Sequence, residues 1–285
     1  MNPRGLIVPF TKMNGAGNDF IVIDNRFFHL TDEELSGLAT RYCPRRTGIG
    51  ADGVLAVNVP SEEDAHFRMR YFNADGSLGT MCGNGARCLA RFAGLGGIDA
   101  NPLVFDTDGG RYTADLLDDD LGSVRLHVPP PKAFCEVELQ DVCVEGATFS
   151  IWAGTEHTVR FVEDVSVAPV NSEGPAIRSD AALAPAGANV NFVEVLDGDS
   201  AHIRARTFEK GVEGETLACG TGAVASAVAS RLAGRVNADD IAVEMPGGTL
   251  RVGFSLPNGS YTAEEVQNLT LEGPADVVYM GTLEV

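Results

Sequence analysis

A cysteine bracketed by glycine and followed by a helix-forming run occurs twice in this sequence, as Met81-Cys82-Gly83-Asn84-Gly85-Ala86 and as Ala218-Cys219-Gly220-Thr221-Gly222-Ala223. Residues 86–93 and 223–233 are rich in alanine and leucine, and Gly94 and Gly234 are expected to stop the two helices. Other landmarks recur around the cysteines at nearly constant offsets. Phe20, after Gly15-Ala16-Gly17-Asn18-Asp19, lies 62 residues before Cys82, and Thr158, after Gly154-Thr155-Glu156-His157, lies 61 before Cys219. Phe72 and Phe208 stand 10 and 11 residues ahead of their cysteines, and the Gly109-Gly110 and Gly247-Gly248 turns follow by 27 and 28. Landmarks repeated in one order are the mark of internal duplication.

The chain is therefore expected to fold as two similar domains of mixed α/β (α+β) class. In each, several short strands lie around or beside one long helix that begins at the cysteine. Phe20–Asp24, Asn191–Val195 and Ile241–Glu244 are apolar and rich in β-branched residues, as strands should be, and the Gly-Gly turns read as hairpins. Pro129-Pro130-Pro131 can continue neither sheet nor helix and marks the boundary. The domains are expected at 1–128, completed by a last strand at 276–285, and at 132–275. A length of 285 residues and 44% hydrophobic content suit two cores.

No apolar run approaches the 18 or more residues of a membrane-spanning helix, and the start Met1-Asn2-Pro3-Arg4 lacks a signal-peptide pattern, so a soluble, cytoplasmic protein is expected. The six cysteines form no CxxC pair, and His29, His66, His127 and His202 keep no ligand spacing to them, so neither a disulfide framework nor a metal site is expected. Cys43, Cys88, Cys135 and Cys143 read as buried small apolar residues. Net charge is −19, with 40 acidic against 21 basic residues, and only Lys12, Lys132 and Lys210 are lysines. Such a surface suits concentrated salt, which screens its self-repulsion, and it disfavours nucleic acid and anionic membranes as partners.

A cysteine just ahead of a helix meets unpaired backbone N–H groups and the positive end of the helix dipole. These lower a thiol pKa and also cradle a carboxylate. Two such loops can hold the carboxylate of a carbon acid, spread its developing charge, and place one thiolate and one thiol on opposite faces of the carbon. The active site is accordingly expected between the two domains, and the reaction is inversion at a carbon next to a carboxylate, with no cofactor. A cysteine hydrolase would need one cysteine with a histidine base, and a thiol oxidoreductase would use a CxxC. The readings that remain are an amino acid epimerase, a two-cysteine racemase for an amino acid such as proline or histidine, and a non-catalytic amino-acid-binding protein on a duplicated scaffold.

The sequence resembles the diaminopimelate epimerase family over nearly its whole length. The resemblance is carried by Gly17-Asn18-Asp19-Phe20, Gly48-Ile49-Gly50-Ala51-Asp52, Phe72-Asn73-Ala74-Asp75-Gly76-Ser77, the first cysteine loop through Arg87, Asn189 within 187–192, and Glu209-Lys210-Gly211 through Thr216. It implies two curved, mostly antiparallel sheets or barrels, each around a central helix. It also implies pyridoxal-independent interconversion of LL- and meso-diaminopimelate on the route to lysine, and a homodimer. Carried over residue by residue, it makes Cys82 and Cys219 the two acid/bases. Gly83, Asn84, Gly220 and Thr221 then hold the reacting carboxylate and amine region, and Asn18, Asn73 and Asn189 contact substrate, the latter two at its far end. Glu209 pairs with the reacting ammonium and, with His157, adjusts the thiols. The sequence departs from the family in three places. Lys210 stands where the family usually has an arginine for the far carboxylate, Thr155 replaces an asparagine of the usual Gly-Asn-Pro-His loop, and Gly53 stands where a glutamine is sometimes found. Proline racemases usually carry histidine where Asn84 stands, which counts against that variant.

Overall fold

The computed structural model describes residues 5–117, 122–196, 201–257 and 260–285; the start read above for a signal peptide lies outside them. In chain order the first half contains β1 (Ile7–Gly15), β2 (Asn18–Asp24), α1 (Asn25–Phe28), α2 (Asp32–Tyr42), β3 (Gly53–Asn58), β4 (Phe67–Asn73), β5 (Leu78–Gly79), α3 (Gly83–Leu95), β6 (Leu103–Thr107), β7 (Gly110–Leu116) and β8 (Val124–His127). The second half contains β9 (Lys132–Glu136), β10 (Thr148–Trp152), β11 (Glu156–Phe161), α4 (Val170–Arg178), β12 (Asn189–Val195), β13 (His202–Glu209), β14 (Gly214–Thr216), α5 (Gly220–Leu232), β15 (Asp240–Met245), β16 (Gly248–Ser255) and β17 (Gln267–Gly273), and β18 (Asp276–Glu284) ends the chain. Packing divides the chain into one unit of Met1–Leu126 with Gly273–Val285 and a second of His127–Glu272.

The duplication is visible strand by strand. In the first unit β1–β2, β3–β4, β4–β5 and β6–β7 pair antiparallel, while β2–β3 and β4–β6 pair parallel. In the second, β10–β11, β12–β13, β13–β14 and β15–β16 are antiparallel, while β11–β12 and β13–β15 are parallel. Even the flanking strand is matched: β18 runs antiparallel along β1, and β9 along β10. Each Gly-Gly turn closes a two-residue hairpin, with Thr107 opposite Gly110 and Met245 opposite Gly248.

At the centre of each unit is the cysteine-led helix. α3 packs against β1 to β4 and β7, and α5 against β10 to β13, β15 and β16. α5 is built almost wholly of glycine, alanine, valine, serine and threonine, and all of Gly222–Ser230 is buried. A helix with small, mostly apolar residues on every side lets strands close around it. The mostly antiparallel sheet around a central helix expected from the sequence is the observed architecture. Outside it, α2 covers the first sheet through Leu35, Leu38 and Ala39, which pack with Ile21, Val54 and Phe72. It starts at a Thr31–Glu34 capping box. In the second unit, α4 places Val170 and Ile177 against Val190, Phe192 and Phe208.

Two expectations are corrected. Gly94 does not stop α3, which runs to Leu95. A Cβ on Gly94 would meet Leu116 Cδ1 at 2.5 Å, so glycine is there to admit β7. Gly234, one residue beyond the Ala233 cap of α5 with φ 66°, does stop its helix. Cys43 and Cys88 are buried, with thiols pushed up to about 12 by burial, but Cys135 and Cys143 are exposed. Cys135 lies on β9, which is exposed at four of its five positions, and Cys143 lies on the connection to β10.

Gly53 marks a tight crossing of β3 and β4. A Cβ there would lie 2.4 Å from the Phe72 carbonyl oxygen and 2.7 Å from the Tyr71 ring. The carbonyl belongs to the ladder and cannot move aside, so the two backbones pack closely here and leave no room for a side chain. Gly53→Ala is expected to destabilise the fold by about 1–3 kcal/mol, the usual cost of overpacking. Denaturant unfolding with an unchanged midpoint would contradict this account of the crossing.

Candidate active site

Each cysteine is the N-cap of its helix. Cys82 has φ −137° and ψ 117°, and Cys219 has φ −115° and ψ 109°, extended values that aim the chain into the helix without either thiol capping it. The Cys82 carbonyl accepts from the Ala86 N–H at 2.8 Å, and the Cys219 carbonyl from Ala223 at 2.8 Å. The first-turn amides, among them Gly83 and Asn84 or Gly220 and Thr221, have no intrahelical carbonyl to meet and face the N-terminal end. Each loop thus sets a sulfur beside an anion-binding helix terminus. Among the described residues no group of three or more His, Cys, Asp or Glu side chains forms a metal cluster.

Around Cys82, Asn84 Nδ2 donates to Asn18 Oδ1 at 2.5 Å, and Asn18 Nδ2 donates to Asp52 Oδ2 at 3.0 Å. Arg87 Nη2 donates to Asn84 Oδ1 at 2.8 Å from a fully buried position. Asp52 also accepts the Asp19 N–H at 3.1 Å and Arg45 Nη2 at 2.8 Å. Asp19 is bracketed by Arg45 at 2.7 Å and Lys12 at 2.7 Å. Burial pushes the Asp19 carboxyl up, but the hydrogen bonds from Arg45 and Lys12 outweigh it and hold the group below the usual carboxylate range. Asn73 belongs to a different cluster, at the β4–β5 turn, where its Oδ1 accepts from the Tyr71 hydroxyl at 2.7 Å and its Nδ2 donates to Ser77 Oγ at 3.0 Å.

Around Cys219, which is only 4% exposed, Thr221 Oγ1 lies 3.5 Å from the sulfur. Glu209 is a close neighbour: burial raises its carboxyl pKa, opposed by the Thr216 and Cys219 side chains. A second group is built on strand alternation, since Asn189 and Asn191 share one face of β12. Asn191 Nδ2 donates to the Thr158 carbonyl at 3.0 Å and lies 3.1 Å from His157 Nδ1, while its Oδ1 accepts from the Thr207 hydroxyl at 2.9 Å. This orientation makes His157 Nδ1 an acceptor and assigns the ring proton to Nε2. Asn189 Nδ2 stands 3.4 Å from Nε2, and Asn189 Oδ1 accepts the Lys210 N–H at 2.8 Å. The two groups meet at Gly222, where a Cβ would lie 2.6 Å from Asn191 Oδ1 and 3.1 Å from Cys219 Cβ.

Lys210 Nζ donates to Glu156 Oε2 at 2.8 Å and to the Ala186 and Gly187 carbonyls at 3.3 and 3.4 Å, and Thr155 Oγ1 lies 3.1 Å from the same Glu156 oxygen. Two positions where the sequence departs from the family, Thr155 and Lys210, therefore share one carboxylate. Asp52, Tyr71, Glu156, Asn191 and Thr207 were not singled out from the sequence as site residues. For Asn191 a signal existed, two residues after Asn189 on a strand. For the contact of Glu156 with Lys210, 54 positions apart, there was none.

The fold defines a class of duplicated proteins with a sheet-wrapped helix in each half. A phenazine-biosynthesis protein of the PhzF family from Bacillus anthracis superposes with a TM-score of 0.75 at 17% identity, covering 98% of this chain and 100% of that one. A probable proline racemase from Agrobacterium radiobacter gives 0.66 at 17% identity, over 97% and 92%. Sequence narrows the class. The family model described as diaminopimelate epimerase matches residues 10–129 and 149–267. The diaminopimelate epimerase of Chlorobaculum tepidum is 44% identical, over 95% of this chain and 99% of its own length, and that of Aquifex aeolicus is 37% identical, over 96% and 97%. The chain belongs to the diaminopimelate epimerase family.

His157 is fully buried, and burial, aided by the Lys210 charge, pushes its pKa down to about 3. The unfolded chain protonates this imidazole below about 6.5, whereas the folded chain excludes the proton until near 3. Its contribution to stability is therefore intact above pH 6.5 and is lost as pH falls toward 3, by about 2 kcal/mol at pH 5. His157→Gln should flatten the pH dependence of unfolding free energy between pH 7 and 5 by that amount. Parallel curves for variant and parent would show the imidazole to be protonated in the folded state.

Proposed function

We propose that this chain interconverts LL- and meso-diaminopimelate in lysine biosynthesis by a two-base proton transfer at the α-carbon, with Cys82 and Cys219 as the acid/base pair and no cofactor. The observation that carries the reading is the matched pair of N-cap cysteines in a chain of this family. One cysteine, as thiolate, takes the α-proton, and the other, as thiol, returns a proton to the opposite face, inverting the carbon. The reacting carboxylate is held by the amides of Gly83, Asn84, Gly220 and Thr221, whose helix dipoles stabilise charge delocalised into it. Glu209 takes the reacting ammonium, and its proximity to Cys219 ties that thiol's proton to a carboxylate. Asn18 contacts substrate beside Cys82, and Asn73 and Asn189 serve its far end. His157 acts on the thiols only as a neutral group. The two halves of the enzyme are 1–128 with 276–285, and 132–275.

One observation favours a second reading, a two-cysteine racemase for a different amino acid. The three N–H donors of Lys210 already have three acceptors, so it grips the far carboxylate of diaminopimelate only by exchanging Glu156 for substrate. Proton NMR of LL-diaminopimelate with reduced protein in D₂O separates the readings. Loss of the α-proton signal and appearance of the meso isomer are expected, with Cys82→Ser and Cys219→Ser each slower by roughly 10²–10⁴-fold. No exchange by folded protein would reject the diaminopimelate assignment and point to another amino acid.

The proposal also makes the protein a cytoplasmic homodimer adapted to high salt. For the dimer, Val278 and Met280 of β18 are 56% and 74% exposed, an apolar row on an otherwise acidic chain. For salt, each of the three lysines is engaged: Lys12 with Asp19, Lys210 with Glu156, and Lys132 over the Trp152 ring at 5.0 Å. Melting temperature and turnover are expected to rise together with KCl up to molar concentrations. Full activity and an unchanged melting temperature in dilute buffer would remove the salt adaptation.

A further inference from the structure

Three cations among the described residues of the first unit are buried: Lys12, Arg70 and Arg87. Lys12 is paired with Asp19, and Arg70 with Asp32 and Asp108. Arg87, at 0% exposure, has no carboxylate. Its Nη2 is bonded to Asn84, its Nε and Nη1 have no hydrogen-bond partner, and the titratable groups it senses are the thiols of Cys88 and Cys82. Guanidinium stays protonated in proteins, and burying one unpaired costs several kcal/mol.

The duplication shows that the scaffold does not ask for it. α3 and α5 correspond residue for residue, so the counterpart of Arg87 is Val224, itself 4% exposed. Asn84 corresponds to Thr221, and Asn18 to Thr155, each after a tip glycine of positive φ, 95° at Gly17 and 91° at Gly154. The set Asn18, Asn84, Arg87 is thus replaced as a set by Thr155, Thr221, Val224. Arginine is present where two long amides must be held in line and absent where short hydroxyls need no such hold.

We propose that Arg87 is a positioning residue of the first cysteine loop, fixing the Asn84 and Asn18 amides beside Cys82 and lending that sulfur a positive charge no carboxylate neutralises. The role rests on the reaction proposed above, in which both asparagines meet substrate. In the second unit the group beside the corresponding thiol, Cys219, is the Glu209 carboxyl.

The test is Arg87→Val, which copies the second helix, beside Arg87→Lys, which keeps the charge but loses the planar fork. Iodoacetamide labelling at pH 7 is read separately for the Cys82 and Cys219 peptides by mass spectrometry, without substrate, and kcat and KM are measured alongside. In Arg87→Val, Cys82 labelling should fall roughly tenfold, the effect of about one pKa unit on a thiolate, with Cys219 labelling unchanged. KM should rise in both variants, and Arg87→Lys should restore much of the Cys82 labelling. A folded Arg87→Val with unchanged Cys82 labelling and KM would overturn the proposal. So would failure of both variants to fold, since the role claimed is not structural. A parent protein with no epimerase activity would sink the proposed reaction, leaving the labelling ratio to judge Arg87.

Discussion

A helix covered by sheet on every side can meet a small molecule only through its end. That constraint governs both halves of this protein. Strands pack around α3 and α5, in α5 against side chains that are almost all small, and what each helix leaves open is the N-terminal turn, where the backbone has donors to spare and a cysteine is the cap. The thiol and the free first-turn amides come from the same turn, so the position of one fixes the position of the other. No separate loop has to be ordered to bring them together.

How much of this was legible in the sequence follows the range of the interactions involved. The cysteine helices, the Gly-Gly hairpins and the strands around Phe20, Asn191 and Ile241 depend on neighbouring residues, and local composition carries them. Gly94 misleads because its glycine answers to Leu116, 22 positions later, and not to the helix. Cys135 and Cys143 mislead because cysteine is usually buried, whereas β9 and the connection that follows it are exposed at both positions. Asn73 was legible as part of a motif, but the Tyr71 and Ser77 bonds that orient its amide were not. The contact of Lys210 with Glu156 joins residues on β11 and after β13, which only the folded sheet brings together.

The two repeats share a backbone plan and differ in polar content. β4 ends on Asn73 where β13 ends on Glu209, and the strand before it has Gly53 where its counterpart has Asn189. Duplication supplies two copies of a geometry that works, and divergence then sets different charges on each copy without disturbing the ladder. An inverting reaction needs this inequality, since at any moment one sulfur must be without its proton and the other must keep it.

The pairing of β1 with β18 has a consequence for synthesis. β1 leaves the ribosome ahead of the second unit, and one of its edges stays open until residues 276–284 follow, after the whole of that unit. At roughly 5–20 residues per second the delay is on the order of tens of seconds, during which the second unit, continuous in sequence, is free to fold. An unpaired strand edge is a template for wrong partners over that interval. Loss of residues 276–284 would leave that edge of β1 without its partner strand.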